Sequence, residues 1–335
     1  MNKKPKIIPI ASGKGGVGKT LLAANLSIAL AQMGHSTIAV DMDLGGSNLY
    51  TCLGVPNRFS GIGDFLKSES LVFKDLAIPT SVPNLKFIPG EGCSPFMANI
   101  THEQRRIIAA EIKNLDAEYI IIDLGAGTSF STLHFFGITR NGLLVTTFET
   151  PAIMNFIMFL RNFIFRAISG VARQDRETFE VIMRALKRTS GAHHLSVQSM
   201  LAEVVIRNPE MADRLRLVTE SFRPRIVFNM GDHPGDLLIL DKLKSTLRQG
   251  LSIEADYFGF LFHDEMIRKA AKNREVLILN YRNSRAAKGI IGIARRIERL
   301  WEEPSLEGRF DLMHHTKREF EAWTDNKQDG KVKRR

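Results

Sequence analysis

Apolar residues come in short runs, separated by longer stretches in which they recur with helical spacing. The runs at residues 6–12, 36–41, 85–88, 119–123, 142–147, 225–228, 255–261 and 276–279 read as buried strands. Residues 20–32, 101–114 and 283–301 read as helices between or after them. Thr101 is a candidate N-cap, with Gln104 completing a capping box. Strands that alternate with helices predict an α/β fold: a doubly wound, mostly parallel sheet flanked by helices. Right-handed crossovers then bring the carboxyl ends of the strands to one rim, where ligands bind.

Two regions lie outside that alternation. Residues 170–222 are charged and helical in pattern and read as an insertion within one domain spanning 1–303. Residues 304–335 end in Lys331, Lys333, Arg334 and Arg335 and read as a mobile tail. The run at 153–168 is apolar nearly all round, the pattern of a buried helix. Arg161 and Arg166 interrupt it, and it is short for a membrane span. The insertion, a second subunit or a membrane surface could cover it.

Composition narrows the classes. The chain has 335 residues, 44% hydrophobic and 24% charged, enough for a sizeable core. Its two cysteines, Cys52 and Cys93, form no pair or Cys/His cluster, which argues against a disulfide scaffold, a zinc site or an iron–sulfur site. No signal-peptide pattern opens the chain, so a cytoplasmic, soluble protein is expected. A net charge of +10 favours anionic partners: nucleotide, nucleic acid or acidic lipid.

The chemistry is concentrated in Gly13-Lys14-Gly15-Gly16-Val17-Gly18-Lys19-Thr20. The pattern G-x-x-x-x-G-K-[ST] here follows a strand and opens a helix, the context that a phosphate-binding loop requires. Glycines let backbone N–H groups wrap phosphate oxygens, and Lys19 brings its charge to the β- and γ-phosphates. The Thr20 hydroxyl reaches Mg²⁺, and Leu21 continues the loop into the helix, whose N-terminus also favours anions. ATP and Mg²⁺ are the expected cofactors.

The second lysine, Lys14, is not needed to hold phosphates in its own chain. The motif resembles the deviant phosphate loop of the MinD/ParA ATPases, a resemblance that covers most of residues 5–301. The resemblance implies that Lys14 reaches the nucleotide of a partner subunit in an ATP-dependent homodimer. It implies that Asp43, in Asp41-Met42-Asp43, orients the attacking water, while Asp41 supports Mg²⁺ or the loop. Asp123, ending the run Ile120-Ile121-Ile122, matches the carboxylate that holds Mg²⁺ through water. Leu124-Gly125-Ala126-Gly127 follows as a second switch, with glycine where the family usually has proline, and the Gly125 and Gly127 amides face the γ-phosphate.

Asn229 matches an adenine-reading position and is equally a common turn former. Asp264 stands where the family has a base-binding loop, without that loop's proline. Glu149 matches a position near the dimer interface.

Within the family the chain looks most like the flagellar-number regulators FlhG/FleN or a close MinD-like relative. That implies an ATP-driven switch recruiting a protein partner, at flagella or the division site, at times on the inner face of the membrane. The alternative is a ParA-like partition ATPase binding DNA through basic surfaces. Lys288, Arg295, Arg296 and Arg299 would supply such a surface, or face solvent or a protein. An amphipathic membrane helix within residues 310–323 is a further option, with acids interrupting its apolar set. The cysteine pairs of metal-cluster carriers are absent, and no substrate-pocket motif of the metabolic ligases is seen.

Overall fold

The computed structural model describes residues 4–91, 100–187, 196–302 and 309–332. Cys93 lies outside them. The chain opens with β1 (Lys6–Ala11) and α1 (Lys19–Gln32), followed by β2 (Thr37–Met42) and two short helices, α2 (Leu49–Leu53) and α3 (Ile62–Phe65). Next come β3 (Ile78–Pro79), β4 (Leu85–Ile88), α4 (His102–Lys113), β5 (Tyr119–Leu124), α5 (Phe130–Phe136) and β6 (Leu143–Thr146). A helical run of α6 (Thr150–Ala172), α7 (Arg176–Lys187), α8 (Val197–Arg207) and α9 (Pro209–Glu220) leads to β7 (Arg225–Gly231). The chain continues through α10 (Leu240–Leu251), β8 (Asp256–Phe262), α11 (Glu265–Asn273), α12 (Leu277–Asn280), α13 (Arg285–Leu300) and α14 (Arg309–Val332).

The eight strands form one sheet in the order β3-β4-β2-β5-β1-β6-β7-β8, parallel throughout except for β3. Every residue of β2 and β5 is buried, as expected for parallel strands covered on both faces. Their register sets Asp41 beside Asp123, and Ile10 of β1 beside Asp123 on the other side. One face is covered by α1, α2, α12 and α13, the other by α4 to α10.

The capping box of Thr101 and Gln104 forms, with Gln104 N–H donating to Thr101 Oγ1 at 3.2 Å and Thr101 N–H to Gln104 Oε1 at 2.8 Å. The run at 276–279, expected as a strand, is instead the turn of α12. Its amides go to asparagine side chains: Val276 N–H to Asn280 Oδ1 and Ile278 N–H to Asn25 Oδ1. A short apolar run does not distinguish strand from buried turn by pattern alone.

By length and composition α6 could cross a membrane. In the fold Phe156, Phe159, Leu160 and Ile164 are buried, packed in one cluster with Val181 and Ile182 of α7 and Met211 and Leu215 of α9. Beyond residue 308 the chain forms α14, with Leu312 buried in the same cluster and Phe320 packed against it. Arg285 anchors this helix: its guanidinium lies 3.1 Å from the Phe262 ring centroid and 4.5 Å from that of Trp323.

Candidate functional site

The phosphate loop leaves β1 and enters α1 through Gly18, whose φ of 85° belongs to the left-handed region that favours glycine. A Cβ there would also meet Asn229 Nδ2 at 2.3 Å. The loop's start is equally tight, since a Cβ on Gly13 would stand 2.2 Å from the Asn155 carbonyl oxygen at the start of α6. Gly15 and Gly16 are exposed at the tip with open space around them, while Val17 anchors the loop in the core. Thr20 and Leu21 are half-buried on the first turn of α1.

The two lysines differ sharply. Lys14 is exposed at the tip. Lys19 is buried, with its ammonium 2.5 Å from Asp123 Oδ1 and 3.3 Å from the Thr20 hydroxyl. Burial holds the Asp123 carboxyl above its usual range, and Lys19 beside it opposes that shift.

Asp41 is fully buried one strand away. It accepts from Ser47 Oγ at 2.5 Å and from the amides of Asp43 and Leu49 at 3.0 and 3.2 Å. Desolvation, then the neighbouring Asp123, raises its carboxyl to about 7 despite those bonds. Asp43 is half-buried just beyond β2. Its carboxylate lines the approach to Gly125: a Cβ there would stand 3.2 Å from Asp43 Oδ1. The segment after β5 is tied down at both ends, Gly127 N–H donating to the Ser12 carbonyl at 2.9 Å and Thr132 Oγ1 to the Gly125 carbonyl at 3.3 Å.

The residues expected from the sequence, Lys14, Lys19, Thr20, Asp41, Asp43, Asp123 and Gly125, lie along the carboxyl ends of β1, β2 and β5. Asn229 comes to the same loop from β7, as a brace. Its Nδ2 donates to the Val17 carbonyl at 2.8 Å and its Oδ1 accepts from Met230 N–H at 2.9 Å. One N–H and one lone pair remain on this amide, which is 2% exposed. Asp264 caps α11 with one oxygen, accepting from Met266 N–H at 2.9 Å. Its other oxygen takes the Ala286 amide at 2.8 Å and so joins α11 to α13.

Several participants were not evident from sequence. Ser47 fixes Asp41, and its only signal was a place close after the paired aspartates. Asn155 backs Gly13 from far along the chain, where no local pattern could mark it. Glu149 was noted for position alone. The Thr147 hydroxyl donates to it and holds its carboxyl below the usual range, with exposed Lys14 contributing.

The oxygen donors present, a hydroxyl and two buried carboxylates, are those that a hard divalent cation takes. Among the described residues no three His, Cys, Asp or Glu side chains converge as a ready-made metal site. A cation here would therefore take further oxygens, from water or phosphate, to complete its shell.

A glycine cradle on a helix N-terminus, a buried lysine and buried carboxylates on parallel strand ends define a phosphate-loop nucleotide-binding protein. A model of the CobQ/CobB/MinD/ParA nucleotide-binding domain matches residues 8–303, and the chain belongs to this family. It is 35% identical over 150 residues to a putative septum site-determining protein MinD from Guillardia theta, covering 44% of this chain and 55% of that protein. The match to the septum site-determining protein MinD of Synechocystis sp. has the same extent and identity. The chain thus spans about half the length of the curated relatives it matches. Among solved structures, MinD with Mg-ADP from Pyrococcus horikoshii superposes with a TM-score of 0.57 at 19% identity, covering 89% of this chain and 97% of that one. The MinC:MinD cell division complex of Aquifex aeolicus gives 0.57 at 20% identity, covering 90% and 98%. These likenesses show the fold.

Proposed function

We propose that the protein is an ATP-hydrolysing switch that dimerises with ATP and recruits a protein partner, in positioning the division site or the flagella. The observation that carries this reading is the division of labour between the lysines. Lys19 already sits buried inside the phosphate loop, whereas Lys14 projects from its tip, where a second subunit's nucleotide could meet it.

In this reading the amides of Gly13, Gly15, Gly16, Val17 and Gly18 hold the phosphates, and Lys19 leaves Asp123 to face them. Thr20 and Asp123, supported by Asp41, would hold Mg²⁺, which when bound neutralises phosphate charge. Asp43 positions the attacking water beside Gly125. An adenine contact by Asn229 would use the N–H and lone pair left over from its brace. Asp264 would act on the base through the α11 and α13 termini that it joins.

Exposed apolar side chains accompany the loop. Met154 adjoins Asn155, which backs Gly13, and Met154, Met158 and Phe130 are 54%, 42% and 72% exposed. Such residues favour a surface covered by a second copy or a partner.

The deciding experiment is Asp43→Ala. ATP affinity should stay near the wild-type value, because Lys19 and the loop amides bind phosphate without it. Hydrolysis should fall by roughly two to four decades, the scale of a lost positioned base. The variant should then run as a stable dimer with ATP and Mg²⁺ in size-exclusion chromatography. Normal turnover, or slow turnover in a monomer, refutes the reading.

A further inference from the structure

The sheet ends at β8. One side of this strand pairs with β7, and no hydrogen bond from any other described residue reaches the backbone of Phe258, Gly259 or Phe260. The same three residues line a cavity of about 610 Å³. Gly289, Gly292 and Ile293 of α13 bound the cavity on one side, and Leu312 and Thr316 of α14 on the other. These helices belong to opposite faces of the sheet, since Ile293 packs in the cluster of α1 and Leu312 in that of α6. The space between them is therefore where the next strand of the sheet would lie. Backbone groups of a strand edge are unsatisfied until something pairs with them, and an added strand does so with high economy of contacts.

Charge selects the occupant. Arg295, Arg296 and Arg299 line the cavity, with His315 opposite. Two acids also line it, but each has a partner elsewhere. Glu298 is bonded by His35 Nε2 at 2.8 Å, and Glu319 faces Arg285. Arg295 and Arg299 are exposed and form no ion pair with any described residue.

We infer that this slot receives an extended acidic segment of a protein partner, added to β8 as a ninth strand with its carboxylates on Arg295 and Arg299. The glycines of α13 fit that role. A Cβ on Gly292 would meet nothing within 4 Å, so the residue leaves room in the slot without being required for packing.

The test uses the full chain and a fluorescent peptide alternating glutamate and valine. Anisotropy should show saturable binding, and hydrogen exchange at those amides of Phe258, Gly259 and Phe260 that point away from β7 should slow when peptide is present. Gly292→Phe fills the slot and should weaken binding by about tenfold or more, as should Arg295→Glu combined with Arg299→Glu. Nucleotide affinity in both variants, unchanged, reports that the fold is intact. Absence of peptide binding by the wild type overturns the inference, and so does binding that Gly292→Phe leaves untouched or that fails to slow exchange on β8. Duplex DNA binding that is lost with the two arginines but indifferent to Gly292→Phe would assign them to nucleic acid and also overturn it.

Discussion

Lys19 and Asp123 illustrate how one pair can serve stability and, in the proposed reading, function as well. Each is buried and each neutralises the other at 2.5 Å. Lys19→Ala strands a buried carboxylate and, in the proposed reading, removes the cation for phosphate. Nucleotide binding by calorimetry should vanish, and urea unfolding of the nucleotide-free protein should show a loss of about 3 kcal/mol or more. Adding Asp123→Asn should recover most of that stability but none of the binding, which separates the two roles. His134 offers a second residue-scale expectation. Burial, then Arg166 and Arg105, lowers its imidazole to about 4, and its Nε2 is buried without a partner. Its folded pKa lies below the unfolded value, so the stability linked to its neutral form is present above about 6.5 and is lost as pH falls towards 4. Between pH 7 and pH 5 this should cost about 1 kcal/mol after solvent screening is allowed for, and His134→Gln should flatten that part of the pH–stability curve. The residues of the phosphate loop were legible because the motif is contiguous. Asp41 and Asp123 were legible because each ends an apolar run. The braces Asn155 and Ser47 were not, because what identifies them is contact across the fold.

At the scale of elements, α14 is held both by Leu312 in the core and by aromatic rings around one cation. Burial lowers the Arg285 guanidinium to about 10, with Glu319 and Asp264 opposing. Phe262, Phe320 and Trp323 surround it. Arg285→Ala should loosen α14 by about 1–2 kcal/mol, seen as faster tryptic cleavage after residue 308 at unchanged nucleotide affinity. Arg285→Lys should not restore it, because a compact ammonium lacks the planar group that stacks on rings. This docking was illegible in the sequence, where acids break the apolar pattern of residues 310–323 and the anchor lies on another helix. The capping box of α4 was readable because both partners sit three residues apart in sequence and nothing distant competes for them. The run at 276–279 was misread for the complementary reason: Asn25, far upstream, supplies an acceptor that favours the turn.

At the scale of the whole molecule, the helices between β6 and β7 act as a cover. Residues of α7 and α9 bury the inward side of α6, whose composition alone would suit a lipid bilayer. Replacing residues 173–222 by a short polar linker should therefore expose Phe163, Ile164 and Ile168. Light scattering should report aggregates, and vesicle sedimentation should report more binding than the intact chain shows. A soluble, monodisperse product would show that α5 and α10 suffice to cover the helix. The sheet itself has two unlike borders. At one end stands β3, two residues long and containing Pro79, which has no N–H to donate. At the other stands β8, seven residues long. A chain that can be extended at one border alone cannot propagate. Two molecules could join β8 to β8, and a third would then find no free strand to join. Fibrils built by edge-to-edge growth need both borders open, so the proline at one border would let β8 take up a single strand, as inferred above, without the hazard of polymerisation.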